Sequence, residues 1–490
     1  MNDVKEIIDL MSEPSEKDAA LIRKAYEVSQ KAHDGQTRYT GEPYFCHVFE
    51  TAKTLAELHM DSETIAAGLL HDSIEDERLS EENIKKEFGE DVLFLINGVT
   101  KLGKLKYKGL KRHAESLRKL FIATSQDMRV LIIRLADRLH NVKTLEGHPS
   151  KEKRKRIATE TLEVFAPLAH RLGMWHLQGE LEDNAFKYAL PEEYKKMKEL
   201  LKNRSKFDEK LMEKVRRALQ KELAQHEIKP VQMSYRTKRL YSLYKKLSRK
   251  KSIDEIYDFI AIRVIVENVE DCYRTLGIVH KIWQPLPERI KDYIAIPKPN
   301  GYQSIHTTIF TGDGAVVEIQ IRTEQMNKDA ELGIASHLAY KEVGDSINKN
   351  HRYKKTPAWI EQILEWQKGV SESGEFLEHL KMDFFSNRVF AFTPEGDVID
   401  LPEGSSAVDF AYAIHTDVGQ HISGAKINGK MSSLENTLHN GDIVEILTNK
   451  NSHPTSKWLK YAKTTLANRR IKAYLAEHDS SIFNFLPKIG

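Results

Sequence analysis

The stretch His71-Asp72-Ser73-Ile74-Glu75-Asp76 follows directly on an apolar run and concentrates polar side chains at one point of the chain. The preceding residues predict a buried helix that starts near Ser62. Imidazole beside carboxylate at a helix end suits a divalent metal with mixed nitrogen and oxygen ligands. The carboxylates of Glu75 and Asp76 lie about one helical turn further on, where they could act on a metal-bound water. The alternative is a charged helix end that faces solvent.

Two more residues support a metal site at this position. His47 lies upstream, and Asp137 lies within the segment Arg134–Asn141, part of a largely apolar helical pattern. A carboxylate in an apolar helix is costly unless it is paired or bound to a metal. The alternative for Asp137 is a buried ion pair with Arg134 or Arg138.

Length and composition predict a soluble protein of several domains. The chain has 490 residues, too many for one hydrophobic core, and 40% of them are hydrophobic and 30% charged. No apolar run approaches the roughly 18–20 residues of a membrane span. The start of the chain lacks the pattern of a signal peptide, and two distant cysteines, Cys46 and Cys272, cannot form a disulfide framework or a zinc finger. We therefore expect a cytoplasmic protein without a membrane partner.

The first part of the chain is predicted to be helical. From Lys17 to about Tyr194 apolar residues recur with helical spacing, and few segments alternate as strands do. The stretch Phe165–Gly173 contains proline and glycine and predicts a connection between helices. The charged pattern from Lys196 to Gln225 predicts a helical connector.

The middle of the chain changes character. A run at 234–251 carries eight basic residues and no acid; from charge alone, a solvated helix face is favoured over nucleic-acid or polyphosphate binding. Strands are predicted at 257–266, 293–296, 306–310 and 315–322, with a helix at 269–283. Asp258 and Glu318 would place one carboxylate on each of two strands, which is how a nucleotidyltransferase-like sheet could hold Mg²⁺ against a triphosphate. The alternative is two strand-edge charges facing water.

The metal-site motifs resemble the HD-type metal phosphohydrolases. The segments Arg38–Tyr44, His71–Asp76 and Arg134–Asn141 further resemble the hydrolase domain of the Rel/SpoT family, whose members make and destroy guanosine tetra- and pentaphosphate, (p)ppGpp. The resemblance implies an all-α domain that holds one divalent ion, Mn²⁺, through His47, His71, Asp72 and Asp137. It also implies that the attacking water is activated by Glu75 and Asp76, and that the nucleotide is bound by Arg38 and Asn141. Departures from the family pattern are Tyr39 and Val48.

Three later segments resemble the synthetase domain of the same family. They are Arg289–Thr308, Glu318–Thr323 and Ala330–His337. The resemblance implies transfer of pyrophosphate from ATP to the 3′-hydroxyl of GDP or GTP, with Mg²⁺ as the metal. Such a transfer needs cations around the phosphates and a polarised hydroxyl.

The resemblance assigns roles in this domain by position. Asp258 would bind Mg²⁺, and Glu318 would assist it or act as the general base. ATP would be held by Arg236, Lys238, Ser242 and Arg263. Tyr302 would stack on guanine, because a tyrosine after glycine in a turn can present its whole face. The acceptor site would further be lined by Lys298, Asn300, Gln303 and His306.

Two features bear on the type of family member. The motif at 289–292, with Arg289, Lys291 and Asp292, resembles the basic version found in bifunctional members. Tyr235, Thr237 and Leu338 depart from the residues usual at their positions, so the ATP side is less well supported than the guanine side.

The last part of the chain resembles the TGS module, a small β-grasp fold. Strands at 389–392 and 398–401 form a predicted hairpin, followed by a helix at 407–415 and a strand at 443–447. The resemblance implies regulatory contact with the ribosome or uncharged tRNA, with His415 as the candidate contact. The alternative is a structural module in which this histidine only caps a helix.

Together these patterns predict a multidomain α+β protein. Its parts are an all-α HD-type hydrolase at 1–195, a mixed α/β nucleotidyltransferase-like synthetase at 196–375, a β-grasp TGS domain at 385–450 and a helical extension at 451–490. The predicted function is a bifunctional enzyme that acts on ATP, GDP/GTP and (p)ppGpp, and an oligomer is compatible with it. The rival hypotheses are a hydrolase with a degenerate, nucleotide-sensing synthetase domain and a non-enzymatic, ribosome-associated binding protein.

Overall fold

A computed structural model describes most of the chain and divides it into two compact units, Met1–Trp366 and Gln367–Gly490. The described residues are 3–74, 79–100, 110–248, 260–287, 289–298, 300–312, 315–336, 359–360, 363 and 388–478. Among them, no helix combines the length and the apolar character that a membrane crossing needs. The domain boundaries predicted at 195, 375 and 450 stay predictions.

The first unit begins with a group of packed helices, one of which, Ser62–Leu70, is buried along almost its whole length. The helices are α1 Val4–Leu10, α2 Glu16–Ala32, α3 Phe45–Glu57, α4 Ser62–Leu70, α5 Glu81–Phe88, α6 Glu90–Val99, α7 Leu110–Gln126, α8 Arg129–Lys143 and α9 Lys151–Glu160. The predicted helix before His71 is confirmed as α4, which the Asp61 side chain caps by accepting from the backbone N–H of Thr64 at 2.7 Å. A Cβ on Gly68 would lie 2.5 Å from Leu55 Cδ1, so glycine lets α3 and α4 pack closely.

The predicted connection at Phe165–Gly173 is wrong for most of its length. A π-helical turn at Thr161–Phe165 continues into α10, Ala166–Arg171, and α11 begins at Trp175 and ends at Ala189. Pro167 lies just after the π-helical turn and, having no backbone N–H, cannot donate a hydrogen bond back to it. Only the residues around Gly173, whose φ is +72°, make the turn.

A mixed five-stranded sheet completes the first unit. Its strands are β1 Gln232–Thr237, β2 Ile260–Val266, β3 Lys291–Asp292, β4 Ile305–Phe310 and β5 Val316–Thr323, in the order β1-β2-β5-β4-β3. Only β2 and β5 run parallel, with Ala261 opposite Glu318. The sheet is accompanied by α12 Pro191–Gln225, α13 Leu240–Leu247, α14 Val269–Ile282 and α15 Glu324–Leu332.

The charged segment predicted to be helical from Lys196 to Gln225 is confirmed as most of α12, and its role as a connector stays a prediction. Its apolar residues, Val215 and Leu219 among them, share a core with β2, β5 and α14. The predicted strand at 257–266 is confirmed from 260 onward, and its first residues lie outside the described part of the chain.

The predicted strand at 293–296 is wrong. The chain turns there because the carboxylate of Asp292 accepts from the backbone N–H groups of Ile294 and Ala295, both at 2.9 Å. Such a side chain–backbone turn competes with strand pairing. Only the two residues of β3 pair with β4.

The second unit contains a hairpin, a three-stranded sheet and four helices among its described residues. The strands are β6 Arg388–Phe392, β7 Val398–Pro402, β8 Ile422–Ile427, β9 Lys430–Ser432 and β10 Val444–Thr448; the helices are Ala407–Ile414, Thr416–Gln420, Trp458–Tyr461 and Thr465–His478. The predicted hairpin, the helix before His415 and the last strand are confirmed. Ala467, Ile471 and Leu475 of the last helix share a core with Val408 and Tyr412.

One buried carboxylate joins the helix Ala407–Ile414 to the segment before the last helix. Asp409 accepts from the backbone N–H of Ser406 at 2.8 Å, from that of Lys463 at 2.9 Å and from that of Thr464 at 2.7 Å. Asp409 is 1% exposed, so water cannot replace these bonds.

We predict that Asp409→Ala destabilises the second unit by about 3 kcal/mol or more, because several buried N–H groups lose their acceptor. Hydrogen exchange of residues 405–475, followed by mass spectrometry in the full chain, measures the free energy of opening. The matched control is Asp417→Ala, whose side chain is 79% exposed and which should change that free energy by less than about 0.5 kcal/mol. Equal effects of the two substitutions would contradict the prediction.

Candidate functional site

The predicted metal ligands converge inside the helical core. His47 lies on α3, His71 and Asp72 follow α4, and Asp137 lies on α8. Nε2 of His47 is 3.5 Å from Asp72 Oδ2 and 3.3 Å from Asp137 Oδ1. Nε2 of His71 is 3.4 Å from the same oxygen of Asp72 and 3.9 Å from that of Asp137. Candidate ligand atoms of His47, His71 and Asp137 all lie within 4.8 Å of one another.

The donor set fits a divalent cation. His71 donates its Nδ1–H to the backbone oxygen of Gly68 at 2.8 Å, which leaves the Nε2 lone pair for another partner. That Nε2 is buried and makes no hydrogen bond to any described residue. Two imidazoles and two carboxylates at this separation make a mixed nitrogen and oxygen set of the kind that transition metals bind.

Neighbouring side chains hold the two carboxylates. Asp137 accepts from Arg134 and from the side-chain amide of Asn141, so the ion pair considered from the sequence exists beside the histidines. Tyr44 donates its hydroxyl to Asp72 at 2.7 Å. Burial and then the charge of Asp72 raise the pKa of Tyr44 well above its usual range, so this hydroxyl keeps its proton as a donor.

The two residues predicted to contact the hydrolase nucleotide lie together. Arg38 donates to the side-chain oxygen of Asn141 at 2.7 Å and to the hydroxyl of Thr144 at 2.9 Å. Since Asn141 also holds Asp137, the pair lies directly beside the candidate metal ligands. The two carboxylates predicted to act on water, Glu75 and Asp76, lie outside the described residues.

Sequence reasoning missed His140 as part of this site. Its Nδ1 lies 2.8 Å from Nδ1 of His47 and 3.0 Å from Nη1 of Arg38. Burial, with the nearby His47 and Arg38, lowers the pKa of His140 to about 3, so its imidazole is neutral. The available signal was its position three residues after Asp137 in the same helix, which places it on a neighbouring face.

A second candidate site lies between α11 and the five-stranded sheet. The cavity there has a volume of about 510 Å³ and is lined by Trp175, His176, Asp183, Tyr235, Arg236, Lys238, Arg239, Leu240, Arg263, Tyr302, Arg322, Ala330 and Glu331. Cationic side chains outnumber the acids in this lining, which suits a polyphosphate. Three of the four residues predicted to hold ATP line the cavity, whereas Ser242 lies within α13 outside the lining.

The predicted metal-binding glutamate of the sheet sits in a hydrogen-bonded series. Glu318 Oε1 accepts from the side-chain amide of Gln320 at 2.7 Å and lies 3.4 Å from Nδ1 of His306. Nε2 of His306 is 2.8 Å from the hydroxyl of Tyr302. Burial lowers the pKa of His306. The second predicted magnesium ligand, Asp258, lies outside the described part of the chain.

The predicted acceptor-site residues are close together. Nζ of Lys298 lies 4.6 Å from the ring centre of Tyr293 and 5.1 Å from that of Tyr302. Burial, followed by the charges of Lys291 and Arg236, lowers the pKa of this lysine to about 8. Gln303 donates its side-chain amide to the backbone oxygen of Ile294 at 3.3 Å.

A segment from the helical part of the unit packs against these acceptor-site residues. The ring of Trp175 lies 5.3 Å from that of Tyr302, centre to centre, and Asn300 donates to the backbone oxygen of His170 at 3.2 Å. Ile334 N–H donates to Leu172 O at 2.8 Å. A Cβ on Gly333 would lie 2.4 Å from that oxygen, so only glycine permits this approach. No pattern in the sequence indicates this contact, because it is purely tertiary.

The remaining predicted residues lie at exposed positions or in turns. Arg289 and Lys291 are exposed, and Asp292 forms the turn described above and accepts from the hydroxyl of Tyr273 at 2.9 Å. His415 caps the helix Thr416–Gln420, where its Nδ1 accepts from the N–H of Asp417 at 3.2 Å. Its side chain is 68% exposed, so the cap leaves most of the ring accessible.

Three family models match the chain in sequence. An HD domain matches residues 25–175, a region found in RelA / SpoT proteins matches 235–345, and a TGS domain matches 389–448. These matches cover the candidate metal ligands, most of the cavity lining and the three-stranded sheet of the second unit.

Curated relatives resemble almost the whole chain. A guanosine-3′,5′-bis(diphosphate) 3′-pyrophosphohydrolase of Aquifex aeolicus is 47% identical over 94% of the chain and 65% of its own length. A GTP pyrophosphokinase of Myxococcus xanthus is 46% identical over 94% of the chain and 61% of its own length. The bifunctional (p)ppGpp synthase/hydrolase SpoT of Escherichia coli K12 is 43% identical over 93% of the chain and 64% of its own length.

The chain thus spans less than two thirds of the length of each of these relatives. The identities nevertheless extend through the HD, synthetase and TGS regions in the order that the sequence predicted. The chain is thus similar in sequence to RelA / SpoT proteins, and it carries matches to an HD domain, a RelA / SpoT region and a TGS domain in that order.

Proposed function

We propose that the chain is a bifunctional alarmone enzyme, which hydrolyses (p)ppGpp at the metal site of the helices and makes it in the cavity beside the sheet. The observation that carries the proposal is the presence in one chain of a buried His/Asp cluster and of a separate cavity rich in cations. The names of the relatives, which include a hydrolase, a pyrophosphokinase and a bifunctional enzyme, support the same pair of activities.

In the hydrolase site, His47, His71, Asp72 and Asp137 would hold a divalent ion, for which we propose Mn²⁺. When bound, this ion would supply Lewis acidity and an activated water. Arg38 and Asn141, which already contact each other, would bind and orient the nucleotide. Glu75 and Asp76 would take the proton from the water that attacks the phosphorus bonded to the ribose 3′-oxygen. The bond between that phosphorus and the 3′-oxygen would break, the 3′-oxygen would take up a proton as GDP or GTP leaves, and the attacked group would be released as pyrophosphate.

In the synthetase site, the cations of the cavity would bind ATP, with Arg236, Lys238, Arg263 and Ser242 as the proposed contacts. The acceptor's 3′-oxygen would attack the β-phosphorus, the bond to the α–β bridging oxygen would break, and AMP would leave. Glu318, with Asp258, would hold Mg²⁺ or take the proton of the acceptor hydroxyl. Tyr302 would stack on guanine, beside Lys298, Asn300, Gln303 and His306.

The arrangement of the first unit supports alternation between the two activities. The rings of Trp175 and Tyr302 lie 5.3 Å apart, centre to centre, with a tilt of 57° between them. Guanine stacked on Tyr302 would therefore compete with Trp175 for space beside this ring. The hydrolase ligands, in contrast, are already assembled. We propose that this conformation favours hydrolysis and that synthesis requires the Trp175 segment to move away.

The second unit would contribute regulation. Its match to a TGS domain and the exposed ring of His415 support contact with the ribosome or uncharged tRNA. The nucleotide substrates support a cytoplasmic location for the proposed activities.

We predict that His71→Ala combined with Asp72→Ala lowers (p)ppGpp hydrolysis by more than about a hundredfold and spares synthesis, because the metal loses two ligands. Glu318→Gln should lower synthesis from ATP and GDP by about a hundredfold or more and spare hydrolysis. Turnover of each substrate, with Mn²⁺ for hydrolysis and Mg²⁺ for synthesis, measures both rates.

The matched control for the glutamate is Glu192→Gln, which alters a side chain that is 75% exposed and should leave both rates unchanged. If the wild-type chain hydrolyses (p)ppGpp but never makes it, the synthetase region is a nucleotide sensor, as the departures at Tyr235 and Thr237 would allow. If it does neither, the hypothesis of a non-enzymatic binding protein replaces both enzymatic hypotheses.

We predict that Trp175→Ala increases the affinity of the chain for GDP by about two- to tenfold, since GDP no longer has to displace the indole from Tyr302. Equilibrium titration with GDP measures the effect. Lys187→Ala changes the same helix at its exposed ion pair with Glu146 and should leave the affinity unaltered. Weaker GDP binding by the Trp175 variant would show instead that the indole helps to build the acceptor site.

A further inference from the structure

A short series of hydrogen bonds joins the proposed nucleotide contact of the hydrolase site to one of its proposed metal ligands. Nη1 of Arg38 lies 3.0 Å from Nδ1 of His140, and the same Nδ1 lies 2.8 Å from Nδ1 of His47. His47 is 2% exposed and His140 is 9% exposed, so water cannot readily replace either contact. Neither Arg38 nor His140 is among the four proposed ligands.

The chemistry of the donors fixes where the protons lie along this series. A guanidinium can only donate, so Nδ1 of His140 must accept from Arg38 and carries no hydrogen. The contact between the two imidazoles must then be donated by His47. His47 therefore carries a hydrogen on Nδ1, and Nε2 is the nitrogen left to bind a cation. This Nε2 is the atom that faces the carboxylates of Asp72 and Asp137 at 3.5 Å and 3.3 Å.

The other proposed histidine ligand reaches the same tautomer by a different route. His71 donates its Nδ1–H to the backbone oxygen of Gly68, which can only accept. The tautomer of His71 is therefore independent of any side chain. That of His47 depends on His140, whose Nδ1 could donate instead of accept if nothing donated to it.

We propose that His140 is a positioning residue of the metal site and that Arg38 acts through it to hold His47 in the metal-binding tautomer. The inference rests on the hydrolase half of the proposed function. Without Arg38, His140 could carry the hydrogen on Nδ1 and donate it to His47. His47 would then hold its own hydrogen on Nε2, where it would have to be displaced before a cation could bind.

The guanidinium is well placed for this role. Its contacts with Asn141 and Thr144 hold it from two further directions, so it is oriented toward His140 in the nucleotide-free chain. Arg38 would thus link the nucleotide side of the site to metal affinity without touching the metal.

The test is a titration of the full, nucleotide-free chain with Mn²⁺, in which free Mn²⁺ is followed by electron paramagnetic resonance. The variants are Arg38→Met, which removes the donor, His140→Leu, which removes the acceptor, and His140→Asn, whose Oδ1 overlays Nδ1. The matched control is His170→Leu, which removes another buried histidine that contacts Gln178 and belongs to neither site's proposed ligands. Thermal unfolding of each metal-free variant shows whether it folds.

We expect Arg38→Met and His140→Leu to weaken Mn²⁺ binding about tenfold or more, the range found for outer-sphere partners of metal ligands. His140→Asn and His170→Leu should bind within about threefold of the wild type. Unchanged affinity in Arg38→Met would overturn the inference. If His140→Leu does not fold, the single variants Arg38→Met and His140→Asn still test it. A wild-type chain that binds no Mn²⁺ would overturn the metal centre of the proposed function and the inference with it.

Discussion

Two imidazoles and two carboxylates meet inside a helical core, and the neighbouring structure compensates for the cost of burying them. Each carboxylate has a donor on its outer side, Tyr44 for Asp72 and Arg134 for Asp137. Their inner oxygens face the Nε2 atoms of His47 and His71. Buried lone pairs that converge in this way are costly until a cation occupies their centre, so the fold is organised for a ligand that the chain itself does not supply.

The same helices connect this core to the sheet. Glu180 of α11 lies 3.3 Å from Lys143 at the end of α8 and 2.9 Å from Arg239 in the cavity lining. Its carboxylate therefore bridges the helix that carries Asp137 and the proposed ATP site. Exposed ion pairs contribute little stability, so we attribute to this bridge a role in orientation. The close approach at Gly173 and Gly333 defines how the two parts of the unit meet in this conformation.

Local patterns predicted much of this, and tertiary contacts account for what they missed. The buried helix before His71 could be found from apolar spacing, and Asp137 could be singled out because a carboxylate among apolar residues is costly. A strand is predicted at 293–296 because aromatic and β-branched residues favour strands. The prediction is wrong because the Asp292 side chain stabilises a turn there. Trp175 could not be predicted, because nothing in the sequence places it against Tyr302.

The two histidines proposed as metal ligands differ in a way that matters for the control of metal binding. Gly68 fixes His71 through the backbone of a buried helix, a contact that persists as long as α4 is folded. His47 is fixed through side chains that end at Arg38, the residue proposed to meet the nucleotide. A nucleotide that draws the guanidinium toward itself would change the proton arrangement at one metal ligand while leaving the other in place. Since binding free energies are reciprocal, bound metal must in turn bias how Arg38 presents itself to the nucleotide.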